Sequence, residues 1–168
     1  PDLQENLDIL AILRGTENLL LDTVENPNWI KEKIHQINKV FFSAYQRIYE
    51  LIKDDEGGSA GSALRLWAPG KVAKVQCDLA CMISPESFQK FVIPGLKEQC
   101  EWLDFSLFHL DGVRSIMHLD SLLDIEQLNA VQWTPGAGNP QGGDPKWFEM
   151  YKKIKNAGGN WKSARARC

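Results

Sequence analysis

The apolar positions between residues 27 and 54 fall at Ile30, Ile34, Ile37, Phe41, Ala44, Ile48 and Leu51, in alternating steps of four and three. That spacing predicts one long amphipathic helix with a single buried stripe. Asn26-Pro27 supplies an N-cap followed by proline at the first helical position. Run to about Asp54, the helix spans roughly 40 Å at 1.5 Å per residue. Ahead of it, Leu7, Ile9, Leu10, Ile12 and Leu13 predict a short buried helix ended at Gly15. Thr16 is placed to cap a second helix carrying Leu19, Leu20, Leu21 and Val24.

Beyond residue 54 the helical period is lost. Asp54 to Ser62 is polar and glycine-rich, a short apolar run ends at Trp67, and Pro69-Gly70 suits a tight turn. Residues 55–72 are therefore expected to form a flexible loop. Trp67 has two readings there, a lid over a substrate or a side chain pinning the loop to the core. Three extended segments follow, at 73–78, 105–110 and 128–133. Helical patterns separate them: Ser84-Pro85-Glu86 opens one with apolar positions Phe88, Phe91, Val92, Leu96 and Cys100, kinked at Pro94, and another covers 114–124. A last amphipathic helix runs from Pro145 to Asn156. Strands alternating with helices are the grammar of parallel βα units, so the three segments are expected as parallel neighbours in sequence order.

The second of these strands carries the chemistry. Phe105 to Leu110 is nearly continuous hydrophobe, as in a strand buried on both faces, and it closes on His109, Asp111 and Gly112. With a side-chain period of two, Phe105, Leu107, His109 and Asp111 share one face and Ser106, Phe108 and Leu110 the other. The strand before it closes on Asp78, an acid at the same kind of edge. Active sites of α/β proteins gather at the carboxyl ends of parallel strands. His109 and Asp111 offer two metal ligands, or an imidazole with its orienting carboxylate, or a pair that caps the next turn. All three carboxyl and imidazole groups are expected on one side of the sheet, within roughly 10 Å, because neighbouring strands lie about 4.8 Å apart.

Composition narrows the classes. The chain has 168 residues, 43% hydrophobic and 24% charged, which suits one globular domain. A net charge of −3 gives no electrostatic case for nucleic acid or an anionic membrane. No run approaches the ~18 apolar residues of a membrane span, and the acidic start Pro1-Asp2-Leu3-Gln4-Glu5 has no signal-peptide pattern. Cys77, Cys81, Cys100 and Cys168 lack paired spacing, so no disulfide framework or zinc ribbon is expected. A cytoplasmic protein with reduced thiols is the expectation.

Several segments, taken together and in order, resemble the uroporphyrinogen decarboxylase superfamily, which includes the cobalamin- and corrinoid-dependent methyltransferases. They are Asn6 to Glu17, Cys77-Asp78 with Met82 to Phe88, Phe108-His109-Leu110-Asp111-Gly112, and Val131-Gln132-Trp133. The resemblance implies a (β/α)8 TIM barrel with its active site at the C-terminal mouth. Members run to about twice this length, so it implies an incomplete barrel here, of three to four parallel strands. The tail 157–168 does not look like a last barrel strand.

For the site, the decarboxylase type implies Asp78, His109 and Asp111 as catalytic groups. Trp67, Gln76, Gly112 and Trp133 would touch a tetrapyrrole or related carboxylated substrate, with no cofactor. The methyltransferase type implies zinc on His109 and Asp111, the aspartate standing where that branch has the cysteine of a His-x-Cys motif, with a methyl donor or corrinoid as the small-molecule partner. A third possibility is a half barrel that is inactive until a partner completes it. An incomplete barrel would expose sheet edges and the inward faces of Val75, Leu107 and Val131, so a homo-oligomer is expected.

Overall fold

The computed structural model describes residues 3, 6–61, 64 and 66–157. The tail 158–168, and with it Cys168, lies outside the described residues. Helices α1 (Asn6–Arg14), α2 (Thr16–Glu25) and α3 (Pro27–Ile52) lead into strands β1 (Ser59–Gly61), β2 (Leu66–Ala68) and β3 (Val72–Gln76). A 3-10 turn at Asp78–Met82 and the short helix α4 (Pro85–Ser87) connect to α5 (Ile93–Trp102) and β4 (Phe105–Asp111). Then come α6 (Leu119–Leu123), β5 (Ala130–Thr134) and α7 (Phe148–Asn156). Strands β3, β4 and β5 form a parallel three-stranded sheet in that order, as the alternation of strand and helix patterns predicts. The fold is mixed α/β, and no closed barrel forms among the described residues.

Register decides what each face of this sheet holds. Val75 pairs with Phe108, which pairs with Val131; Gln76 pairs with His109, which pairs with Gln132. The first row, with Ala73, Cys77, Leu110 and Trp133, belongs to the hydrophobic core shared with the helices. The second row lies on the opposite face, with Lys74, Leu107 and Thr134. The expectation of an exposed apolar inner surface at Val75, Leu107 and Val131 is therefore corrected. Val75 is fully buried under the helices, Val131 shares that face, and Leu107, on the other side, is itself 6% exposed.

Helix α3 forms as its period predicts, but the buried line is rotated. Ile30, Ile34, Asn38, Phe41 and Tyr45 face inward, whereas Leu51 is 85% exposed. Two polar residues enter the line because each finds a partner. Asn38 donates to the Gly95 carbonyl at 2.9 Å and accepts from Gln99. The Tyr45 hydroxyl donates to the Val72 carbonyl at 2.6 Å and ties α3 to the start of β3. Thr16 is the first residue of α2 and not its cap; Gly15 holds that place with φ 83°. Ahead of Pro94, which sits in the first turn of α5, one π turn covers Phe88–Val92, in which the Ile93 N–H reaches the Phe88 carbonyl.

The described residues of the segment expected as a flexible loop include regular structure. β1 and β2 pair as an antiparallel hairpin. Asp54 accepts from the backbone N–H groups of Glu56 and Gly58, and the Ser59 hydroxyl donates to the Gly70 carbonyl. No helix among the described residues is long and apolar enough to cross a membrane.

Candidate functional site

The carboxyl ends of β3, β4 and β5 bring Asp78, His109 and Asp111 together. One ligand atom from each lies within 4.8 Å of the other two. Asp78 and Asp111 are exposed and His109 is half-buried, so the group opens to solvent on one side. His109 and Asp111 stand there because they are two apart on β4. Asp78 reaches them from the first residue of the 3-10 turn that follows β3.

A carboxylate from far away in the chain holds that turn. Asp8 on α1 is 7% exposed and accepts from the backbone N–H groups of Asp78 (2.9 Å) and Leu79 (3.2 Å) and from Gln76 Nε2 (3.4 Å). It caps the turn as a helix N-cap does. Gln76 Nε2 also donates to Asp78 Oδ2 at 3.0 Å, and Gln76 Oε1 accepts from Lys74 at 2.5 Å. Burial, then the Asp8 carboxylate, pushes the Asp78 carboxyl above its usual range, with Asp111 adding to the push and His109 and Lys74 opposing it.

On the other flank, His109 Nδ1 is hydrogen-bonded to Gln132 Oε1, its register partner on β5. Gly112, next after Asp111, has φ 78° and donates its N–H to the Thr134 carbonyl at 2.9 Å. A Cβ placed on Gly136 would lie 3.7 Å from the Gly112 Cα, so the loops that follow β4 and β5 touch through glycine.

No family model, curated protein or solved structure matches this chain.

Other residues expected at the site are placed differently. Gly112 borders the cluster, but Gln76 is 4% exposed and its amide is bonded to Asp8 and Asp78, so it braces Asp78 from within and offers little surface to a small molecule. Trp133 is 8% exposed and packs edge-on against Trp147 on the helix-facing side, because it is one residue out of phase with Gln132. Trp67 sits on β2, ahead of the start of β3, while Asp78 follows its end, about 13 Å further at 3.3 Å per residue. Its indole lies over Gly58, where an added Cβ would meet Cζ2 at 2.8 Å. Neither tryptophan is brought to the Asp78–His109–Asp111 group.

Cys77 points into the core and burial pushes its thiol well up, so it offers no thiolate. Cys81, whose Sγ contacts the Asp78 carbonyl, is outside the group as well. Asp8 and Gln132 were missed by sequence reasoning. Asp8 acts across seventy residues. Gln132 was within reach of it, since alternation puts it on the face of Thr134 at the end of the third strand.

Behind the turn, His118 is buried, stacks on Phe88 with centroids 4.1 Å apart, and donates from Nε2 to the Ala80 carbonyl. Burial holds its pKa below the ordinary 6.5. The neutral ring is thus favoured in the folded protein. Its contribution to stability is complete above about pH 6.5 and is lost as pH falls through the lower folded value. Urea midpoints at pH 7.5 and 5.5 should differ less in His118→Phe, which keeps the stacking and removes the titration, than in the parent chain. Equal slopes would show that His118 carries none of the acid sensitivity.

Proposed function

We propose that this chain carries the substrate-activating centre of a uroporphyrinogen decarboxylase-superfamily enzyme, with Asp78, His109 and Asp111 holding a divalent cation as in the methyltransferase branch. The observation that carries this reading is the 4.8 Å limit on the distances among three ligand atoms, two from β4 and one from the turn that follows β3. One nitrogen and two oxygen donors, without sulfur, suit zinc or another borderline cation such as Mn²⁺ or Fe²⁺. Bound there, the cation would supply Lewis-acid activation of a small-molecule substrate. The chain's own residues do the rest. Asp8 and Gln76 fix Asp78, Gln132 orients His109, and the glycine loops after β4 and β5 leave the mouth open.

A second reading is supported by the raised Asp78 carboxyl. A carboxylic acid that keeps its proton nearer neutral pH can deliver it, as decarboxylation of a carboxylated tetrapyrrole requires, with no metal. Metal analysis after dialysis against Zn²⁺ or Mn²⁺ separates the two. One cation per chain is expected, with affinity lowered at least about 100-fold in His109→Ala, a ligand loss exceeding outer-shell effects. Absence of stoichiometric binding in the parent chain would leave the metal-free acid as the reading that stands.

The same proposal takes the sheet as a segment of a (β/α)8 barrel. Helices pack on one face, and the polar row Lys74, Gln76, His109 and Gln132 lies on the face that would line its interior. A groove of about 500 Å³ between α1 and α3, lined by Ile9, Leu10, Leu13, Ile37, Val40 and Phe41, favours association with a further element or a second copy. Sedimentation equilibrium at micromolar concentration is expected to show a dimer or larger species. A monomer with a cooperative melt would show that the open sheet is self-sufficient.

A further inference from the structure

We propose that Gln132 is a positioning residue that fixes the tautomer of His109, placing the proton on Nδ1 and leaving the Nε2 lone pair toward Asp78 and Asp111. Gln132 Nε2 lies 2.9 Å from the Trp133 carbonyl oxygen and 3.0 Å from Thr134 Oγ1. A backbone carbonyl only accepts, so the amide NH₂ must face it and the amide oxygen must face the imidazole. That oxygen is the partner of His109 Nδ1. An amide oxygen also only accepts, so Nδ1 must carry hydrogen, and a neutral ring then has its lone pair on Nε2.

Neutral imidazole in water prefers the other tautomer, with the proton on Nε2. The β5 rung therefore holds His109 in its less favoured form, which leaves Nε2 as the unprotonated nitrogen available to a cation. Backbone pairing sets the contact, since Gln132 is the register partner of His109. His118 shows the opposite choice within the same fold. Its Nε2 donates to the Ala80 carbonyl, so its Nδ1 carries the lone pair.

The functional weight of this assignment rests on the cation reading above, but the tautomer itself does not. Long-range ¹H–¹⁵N correlation of the metal-free protein at about pH 8, where imidazole is neutral, reads the tautomer directly. The chain has three histidines, and a His109→Asn spectrum identifies the resonances in question. In the parent chain Nδ1 of His109 should resonate as the protonated type and Nε2 as the unprotonated type. Gln132→Met, which keeps the length and removes the acceptor, should return the proton to Nε2. Gln132→Glu, which keeps an acceptor, should preserve the parent pattern.

Zn²⁺ affinity should drop about 10–100-fold in Gln132→Met, the range typical of outer-shell partners, and recover in Gln132→Glu. Unchanged His118 resonances in each variant report an intact fold. A parent chain with Nε2 protonated, or a Gln132→Met spectrum identical to the parent, overturns the assignment. The expected tautomer shifts without Zn²⁺ binding would uphold the role of Gln132 and defeat the cation reading alone.

Discussion

Phe108→Ala should lower stability by about 3–5 kcal/mol, the range for removing a fully buried phenylalanine. Phe108 is 1% exposed at the middle of the central strand. Its side chain lies in the row with Val75 and Val131, where the sheet meets the helices. Truncation leaves a cavity whose walls are held by backbone hydrogen bonds on both sides, so collapse around it is resisted. A domain with a total stability of about 5–15 kcal/mol would be left near its limit. Urea unfolding followed by tryptophan fluorescence measures the loss. An unchanged midpoint would mean that the helix layer does not rest on β4.

Asp8→Ala should cost about 2–3 kcal/mol, the sum of a lost N-cap and of donors left without a partner in a protected site. The effect should extend to chemistry. Asp8 touches no cation ligand atom of its own, yet it fixes the backbone from which Asp78 projects and bonds the Gln76 amide that grips the Asp78 carboxylate. Cation affinity is therefore expected to fall together with stability. Asp8→Asn, which keeps one acceptor, should lose less of both. Calorimetric titration with Zn²⁺ alongside urea melts checks the pairing. Full affinity in a destabilised Asp8→Ala protein would show that the turn holds its shape without the cap.

The parts of the fold legible in the sequence are those that depend on local period. β4 reads as an apolar run because both its faces are covered over most of its length, and the two-residue period places His109 beside Asp111. The parallel order of β3, β4 and β5 follows from helices lying between strands. What the sequence hides depends on partners far away. Asn38 and Tyr45 look like interruptions of an apolar stripe until Gly95 and Val72 supply their hydrogen bonds. The hairpin of β1 and β2 has only three residues in each strand, too short for a period to show. It is held by Asp54 and Ser59, each bonded to backbone. Trp133 is a different case. It shares the parity of Val131, and the pairing with Leu110 and the helix packing show that this parity is the helix side; aromatic bulk beside a site is a weaker signal than alternation.

The ligand set is written into strand phase more than into loops, and this limits how the protein can change. Gln76, His109 and Gln132 occupy one rung, and Asp111 with Thr134 the next along that face. Substitution at any of these positions leaves the strand phase of the others unchanged. A single inserted or deleted residue within β4 does not. It would turn every later side chain of that strand to the opposite face, carrying His109 into the helix layer and Phe108 or Leu110 into the polar row. This face can therefore drift by replacing side chains, while length variation is confined to the connections, such as the glycine-rich segment after Thr134, where an added residue changes no phase.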